Sequence, residues 1–233
     1  MELRDYQKEI VRLGVNVLKE HYFVYLAMEV RTGKTLTSLS ICKTLAVSDV
    51  LFITKKKAIS SIQDDYNLLN PDFNITVINY ESLHKIDCCP YDVIICDEAH
   101  GMGAYPKPSL RSKLVKSLIT ANNNPYVILL SGTPTPESYS QMYHQVYAIP
   151  GNPFKHHKSF YKFSHEYINI TQKKIGPTSI NDYSDGKDSI LYEMKPYMIS
   201  FTQKEAGFKT EVTEEILTIA MHESTHNMVK KLK

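Results

Sequence analysis

Two hydrophobic rhythms alternate along the first 130 residues. From residue 3 to 20, apolar side chains fall at Leu3, Tyr6, Ile10, Leu13, Val17 and Leu18, the spacing of one helical face. Tyr22 to Met28 is then an almost unbroken apolar run, which predicts a strand covered on both faces. Leu36, Leu39, Ile41 and Leu45 restore the helical spacing, and Val50 to Thr54 gives a second short apolar run. A helix over Ala58 to Leu69 is stopped by Asn70-Pro71. Ile75 to Asn79 and Val93 to Cys96 predict two more strands. Ser109 to Ala121 predicts a helix with Leu110, Leu114 and Leu118 on one face. After the turn Asn122-Asn-Asn-Pro125 comes the strand Tyr126 to Leu130. Strands that alternate with helices, each a continuous apolar run, predict an α/β fold with a mainly parallel sheet covered on both faces.

The pattern changes after residue 149. Gly151, Pro153, Gly176, Pro177 and Gly186 interrupt residues 150–208, where Tyr, His and Lys are frequent. This stretch is expected to be an irregular, mostly helical appendage or protrusion. Residues 209–233 are expected to return to the sheet, with a strand over Glu215 to Met221 and a closing helix over His222 to Leu232. Residues 1–149 would be the core of the same unit.

Parallel sheets bind ligands beyond the carboxyl ends of their strands, and three polar motifs fall at such ends. The first is Arg31-Thr32-Gly33-Lys34-Thr35, after Met28. Glycine lets backbone amides approach phosphate, and a helix N-terminus favours the anion. Lys34 would meet the β- and γ-phosphates, and the Thr35 hydroxyl would bind Mg2+. The full glycine-rich pattern is broken, since Met28 stands at its first glycine position. The second is Asp97-Glu98-Ala99-His100. Asp97 would serve the metal, and Glu98 would orient or deprotonate the attacking water. The third is Ser131-Gly132-Thr133-Pro134. Together they predict ATP and Mg2+ as ligands and Lys34, Asp97 and Glu98 as the catalytic set.

Composition sets limits. The 233 residues are 42% hydrophobic and 22% charged, with a net charge of +2, so any contact with nucleic acid must come from local patches. These are Lys55-Lys56-Lys57, the Lys155 to Lys158 run and Lys230-Lys231. Four cysteines without a Cys-x-x-Cys spacing suit a reducing compartment. No apolar run reaches the roughly 20 residues of a membrane span, and the expected location is cytoplasmic.

With these motifs in order, the chain resembles the first RecA-like lobe of superfamily-two helicases with a DEAH-type box. Among these it is most similar to the Swi/Snf-type translocases, including compact forms encoded by bacteriophages, so a phage-infected bacterial host is one setting. Leu3-Arg4-Asp5-Tyr6-Gln7 resembles the family's opening motif, which implies that Gln7 contacts adenine and that Arg4 belongs to the nucleotide site. Met28-Glu-Val-Arg-Thr-Gly-Lys-Thr35 fits its P-loop, where the first glycine is commonly absent; Arg31, Thr32 and Gly33 join Lys34 and Thr35 as nucleotide-binding residues. Ser131 to Pro136 resembles the motif that couples hydrolysis to lobe movement, implying a coupling role for His100, Ser131 and Thr133. Ile78 to Leu83 resembles a motif that contacts nucleic acid, which offers Asn79 and Tyr80. Thr54 to Lys57 stands at another such contact without the usual proline, offering Lys55 and Lys56. Lysines there would give salt-sensitive, sequence-independent affinity. Lys195 to Phe201 and Lys209 to Met221 resemble the end of the lobe.

The resemblance implies a RecA-like P-loop three-layer sandwich, an ATP-dependent motor on nucleic acid (double-stranded DNA favoured), and a second RecA-like lobe in cis or in trans. In the family that second lobe supplies arginines to the ATP site. Here the arginines are Arg4, Arg12, Arg31 and Arg111, all assigned to the first lobe. Such an arginine is worth about 10³- to 10⁵-fold in rate, so the chain alone is expected to bind ATP weakly and turn it over poorly. A non-hydrolysing nucleic-acid- or protein-binding module completed by a partner is the alternative. A small-molecule kinase would want an arginine-rich lid, and none follows Thr135. His222-Glu-Ser-Thr-His226 fits the zinc-protease pattern, but the seven residues after it hold no His, Asp or Glu to complete a catalytic metal site.

Overall fold

The computed structural model describes residues 2–86, 90–122 and 124–208. The strand and helix expected over 209–233, Lys230-Lys231, the His222 pattern, and Cys88 and Cys89 lie outside these residues.

Alternation in the sequence becomes alternation in space. α1 (Asp5–His21) leads to β1 (Phe23–Met28), then α2 (Lys34–Leu45), β2 (Asp49–Thr54), α3 (Ile59–Leu69), β3 (Asn74–Asn79) and β4 (Val93–Asp97). α4 (Leu110–Ala121), β5 (Tyr126–Ser131) and α5 (Met142–Val146) follow. The segment beyond holds α6 (Phe160–Tyr167), a hairpin of β6 (Thr171–Ile175) and β7 (Thr178–Asp182), α7 (Ser189–Met194) and β8 (Met198–Phe201). β6 and β7 are antiparallel around Gly176, whose positive φ of 59° suits glycine at that turn.

Among the described residues, six parallel strands form one sheet in the order β3-β2-β4-β5-β1-β8. β8 lies within the stretch expected to be an appendage, yet it pairs with β1 from Tyr25↔Met198 to Met28↔Phe201. Successive strand residues serve opposite faces. Phe23, Tyr25, Leu51, Ile53, Ile94, Val127 and Leu129 pack on one side with residues of α4, α5, α6 and α7. Val24, Leu26, Val50, Phe52, Val93, Ile95, Ile128 and Leu130 pack on the other with residues of α1, α2 and α3. The sheet is thus the middle layer of three.

The chain beyond β5 is anchored beneath β1. Gly151 packs so closely on the α1–β1 junction that a Cβ there would lie 2.4 Å from the His21 carbonyl oxygen. Backbone, unlike a flexible side-chain tip, cannot yield to that contact. Gly151→Ala should therefore destabilise the fold by about 1–3 kcal/mol; urea unfolding with an unchanged midpoint would show that the two segments are not packed this way.

Candidate nucleotide site at the carboxyl edge of the sheet

β4, β5 and β1 are neighbours, and their carboxyl ends deliver Asp97, Ser131 and Met28 side by side. At a strand spacing of about 4.8 Å, the outer two ends stand about 10 Å apart. An open cleft of about 490 Å³ lies at this edge, lined by Glu29, Val30, Lys34, Lys55, Glu98, His100, Gly132, Thr133 and Gln203. That volume is within the range of small-ligand sites.

The loop after β1 is held by its own side chains. Gly33 takes φ +82° as the residue before α2, a conformation open to glycine. Thr32 is fully buried and its hydroxyl donates to the Glu29 carbonyl at 2.7 Å, so it can offer a ligand only its backbone. Thr37 Oγ1 donates to the Gly33 carbonyl at 3.0 Å. Lys34 Nζ donates to the carbonyls of Met28 at 2.9 Å and Glu29 at 3.2 Å. Burial pushes its ammonium below the ordinary value, while Asp97 and Glu98 pull it upward. Thr35 opens the first turn of α2 beside Lys34.

The opening motif packs on the same loop. Gln7 is buried; its Oε1 accepts the Arg4 N–H at 3.0 Å and its Nε2 donates to the Gly33 carbonyl at 3.5 Å. Tyr6 Oη donates to the Thr32 carbonyl at 3.1 Å. The Arg4 guanidinium lies over the Phe208 ring, 5.8 Å from its centre. Tyr6 and Gln7 are thus set against the loop after β1, and Arg4 is the N-terminal cap of α1.

The acidic pair has two different environments. Thr54 Oγ1, from the end of β2, donates to Asp97 Oδ2 at 2.7 Å, and Tyr80 Oη donates to the Asp97 carbonyl at 2.7 Å. Burial raises the Asp97 carboxyl above its usual range; the Thr54 hydroxyl opposes this and Glu98 reinforces it. Glu98 is more open and has a left-handed backbone at φ 52°. Its carboxylate faces Lys55 Nζ at 3.4 Å and His100 Nδ1 at 3.3 Å. His100 Nδ1 is also 2.9 Å from Ser131 Oγ, which accepts the Thr133 N–H at 3.1 Å. Lys55, Glu98, His100, Ser131 and Thr133 form one polar chain across the cleft. Glu98 is a left-handed residue at this cleft and Arg31 one in the loop after β1, whereas Tyr22, Ala46 and Asn70, also left-handed, cap helix ends. Strained backbone at a functional site typically costs about 1–3 kcal/mol.

The four residues offered for nucleic acid divide. Tyr80 is 2% exposed and cannot present its ring to a nucleic acid. It packs in the core, with the Arg111 guanidinium 5.3 Å from its centre. This corrects the sequence-based expectation: the position after β3 turns inward to hold the Asp97 carbonyl. Asn79 Nδ2 donates to Glu81 Oε2 at 3.0 Å and is the first cause of that carboxyl's fall to about 2. Lys55 lines this cleft, and Lys56 is exposed. Three cleft partners escaped the sequence reading. Thr54 closes a strand and sits beside Asp97. Gln203 donates through its backbone to Glu29 Oε2 at 2.7 Å and through Nε2 to the Val30 carbonyl at 2.9 Å, which straps the loop from beyond β8. Glu29 receives that strap. A polar residue at the end of a strand was the available signal for Thr54; Gln203 had none.

Residues 48–232 match the SNF2-related domain. The chain belongs to that family. Residues 1–82 also match the Type III restriction enzyme, res subunit. Among solved structures, this SNF2-related domain is similar to a Sulfolobus solfataricus SWI2/SNF2 ATPase core in complex with dsDNA, with TM-score 0.68 and 16% identity over 89% of this chain and 46% of that one. It is also similar to the Sulfolobus solfataricus SWI2/SNF2 ATPase core domain, with TM-score 0.63 and 17% identity over 86% of this chain and 43% of that one. The likeness is one of fold, and this chain spans less than half the length of either structure. No curated protein matches the sequence. Among the described residues, no helix is long and apolar enough to cross a membrane.

The half-buried Asp97 gives a stability test with a definite sign. Its folded carboxyl titrates above its unfolded value, so ionising it opposes folding. The penalty is fully present above the raised folded pKa and vanishes below the unfolded one, near pH 4. Asp97→Asn keeps an acceptor for Thr54 and should raise the melting temperature at pH 7.5, with a gain that shrinks as pH falls toward 4. A variant less stable at pH 7.5 would mean that ionised Asp97 contributes to the fold.

Proposed function

We propose that this domain is the N-terminal ATPase lobe of a DNA translocase or helicase, using ATP with Mg2+. The observation that carries the reading is the shared cleft: Lys34 at the start of α2, Glu98 and His100 from the segment after β4, and Thr133 from the segment after β5 line one space. The donor set fits Mg2+ and a triphosphate, with a hydroxyl at Thr35 and a carboxylate at Asp97 for the hard cation, and ammonium and backbone amides at the P-loop for phosphate. Bound Mg2+ would supply positive charge to the phosphates and favour the ionised form of Asp97.

Lys34 would exchange two backbone carbonyls for phosphate oxygens. Thr54 would hold Asp97 in orientation. Glu98, partly solvated and beside Lys55 and His100, would orient the attacking water and receive its proton. His100 would pass the state of that carboxylate to Ser131 and thence to Thr133, the start of the coupling motif. Arg31, Thr32 and Gly33 would meet the nucleotide mainly through backbone, and Gln7 and Arg4 would border the base. Lys56, and Asn79 at the end of β3, remain the proposed nucleic-acid contacts, with double-stranded DNA favoured because a structural relative holds it. A second RecA-like lobe, in cis or in trans, would supply the arginine.

Phosphate release and fluorescent-nucleotide binding, with and without double-stranded DNA, test this reading. The chain alone should bind ATP but turn over below about 1 s⁻¹, the low end of typical enzyme values. Lys34→Ala should lose nucleotide affinity. In the protein joined to a second lobe, Glu98→Gln should retain binding and lose about 10²- to 10⁴-fold in rate. DNA affinity that ignores both ATP and Lys34→Ala would instead identify a non-hydrolysing binding module. Unchanged hydrolysis in Glu98→Gln would remove Glu98 from its role.

A further inference from the structure

Far along the chain from the motifs, a second group of ligating side chains converges. One nitrogen from each of His156 and His157 and one carboxylate oxygen of Glu166 all lie within 4.8 Å of one another. The histidines come from the irregular turn before α6, and Glu166 from the last turn of α6. We propose that His156, His157 and Glu166 form a zinc site that staples this turn to α6.

His157 is set in place before any ion arrives. Its imidazole stands edge-on to Phe163 and Tyr167, with ring centres 6.0 and 5.6 Å away, and its carbonyl accepts the Tyr143 hydroxyl at 2.8 Å. The side chain is only 10% exposed, and its Nε2 is buried with no hydrogen-bond partner. Glu166 Oε2 is 3.2 Å from that nitrogen but out of line for a hydrogen bond. Buried polar atoms in native proteins are almost always satisfied, so this nitrogen calls for a partner. Two ligands at about 2.0–2.1 Å from a tetrahedral zinc stand about 3.3 Å apart, which matches the His157–Glu166 separation. The His156 ring lies against that of His157, their centres 4.0 Å apart.

The chemistry selects zinc over magnesium or calcium, since two imidazoles and one carboxylate suit a borderline ion, whereas the harder cations want oxygen. Both exposed ligands face solvent, which can complete the tetrahedron. Lys155 and Lys158 flank the cluster and weaken the hold on a cation. The competing account is a plain His157–Glu166 ion pair with His156 resting on it, which takes up no metal.

The test is zinc titration of the chelator-stripped chain by calorimetry, with metal analysis after dialysis and thermal unfolding with and without ZnCl2. One equivalent should bind saturably and raise the melting temperature, while MgCl2 should do neither. Glu166 is exposed, so Glu166→Gln should fold normally, yet it should weaken zinc binding by about tenfold or more and lose the thermal shift. The double variant His222→Gln/His226→Gln separates this site from the other histidine pair and should still bind zinc. Absence of saturable uptake, or uptake that survives Glu166→Gln and disappears in the His222/His226 variant, would overturn the proposal. None of these readouts depends on nucleotide hydrolysis.

Discussion

Hydrogen-bonded pairing of β4, β5 and β1 fixes where three loops leave the sheet, and the candidate chemistry depends on that register. Asp97 pairs opposite Leu130, and Ala27 opposite Ser131. A slip of one residue in either ladder would turn the buried set of a strand to the other face. Every position from Val93 to Cys96 and from Val127 to Ser131 is buried, so both ladders are pinned by packing on two sides. The rigidity that holds the polar residues at the rim is therefore supplied by apolar side chains below it. Tyr25 shows the transition: its ring is in the core, while its hydroxyl donates to Gln145 Oε1 at 2.7 Å beneath the site.

The rim itself is built against local preference. A carboxyl at Asp97 is half-buried beside Glu98, an ammonium at Lys34 is partly desolvated, and Glu98 adopts a left-handed backbone. Each feature opposes folding and is offset by the core, and at Asp97 also by short hydrogen bonds from Thr54 and Tyr80. Such local conflict with global stability is the usual mark of a functional site. The polar chain from Lys55 through Glu98 and His100 to Ser131 also links the end of β4 to that of β5. In the proposed reading, this polar chain is the route by which a change at the carboxylate would reach the loop after Ser131.

Much of this was legible in the sequence because each central strand is a single apolar run and each helix keeps one periodic face. β1, β2, β4 and β5 fall within a residue or so of the expected limits, and Ser109 caps α4 through an N–H of Ser112. The β6–β7 hairpin was not legible: Thr171 to Ile175 and Thr178 to Asp182 are short and largely polar, with little apolar alternation. β8 was not legible as a strand: four residues give no period, and the motif likeness over Lys195 to Phe201 implied only the end of the lobe. At the site, Lys34, Glu98 and His100 announced themselves by motif. Tyr80 misled, because an aromatic after a strand reads equally as a surface contact or as a core residue, and only the tertiary packing decides. Gln203 is joined to the loop after β1 by contacts that span more than 170 positions, beyond the reach of local pattern.

The central claim is that the P-loop, the segment after β4 and the segment after β5 bind one nucleotide together. Hydrogen-exchange mass spectrometry of the chain with and without a non-hydrolysable Mg·ATP analogue tests it most directly. The account predicts joint protection of residues 29–36, 97–102 and 131–135 at the same half-saturating nucleotide concentration. Protection confined to one segment, or located elsewhere in the chain, would contradict it.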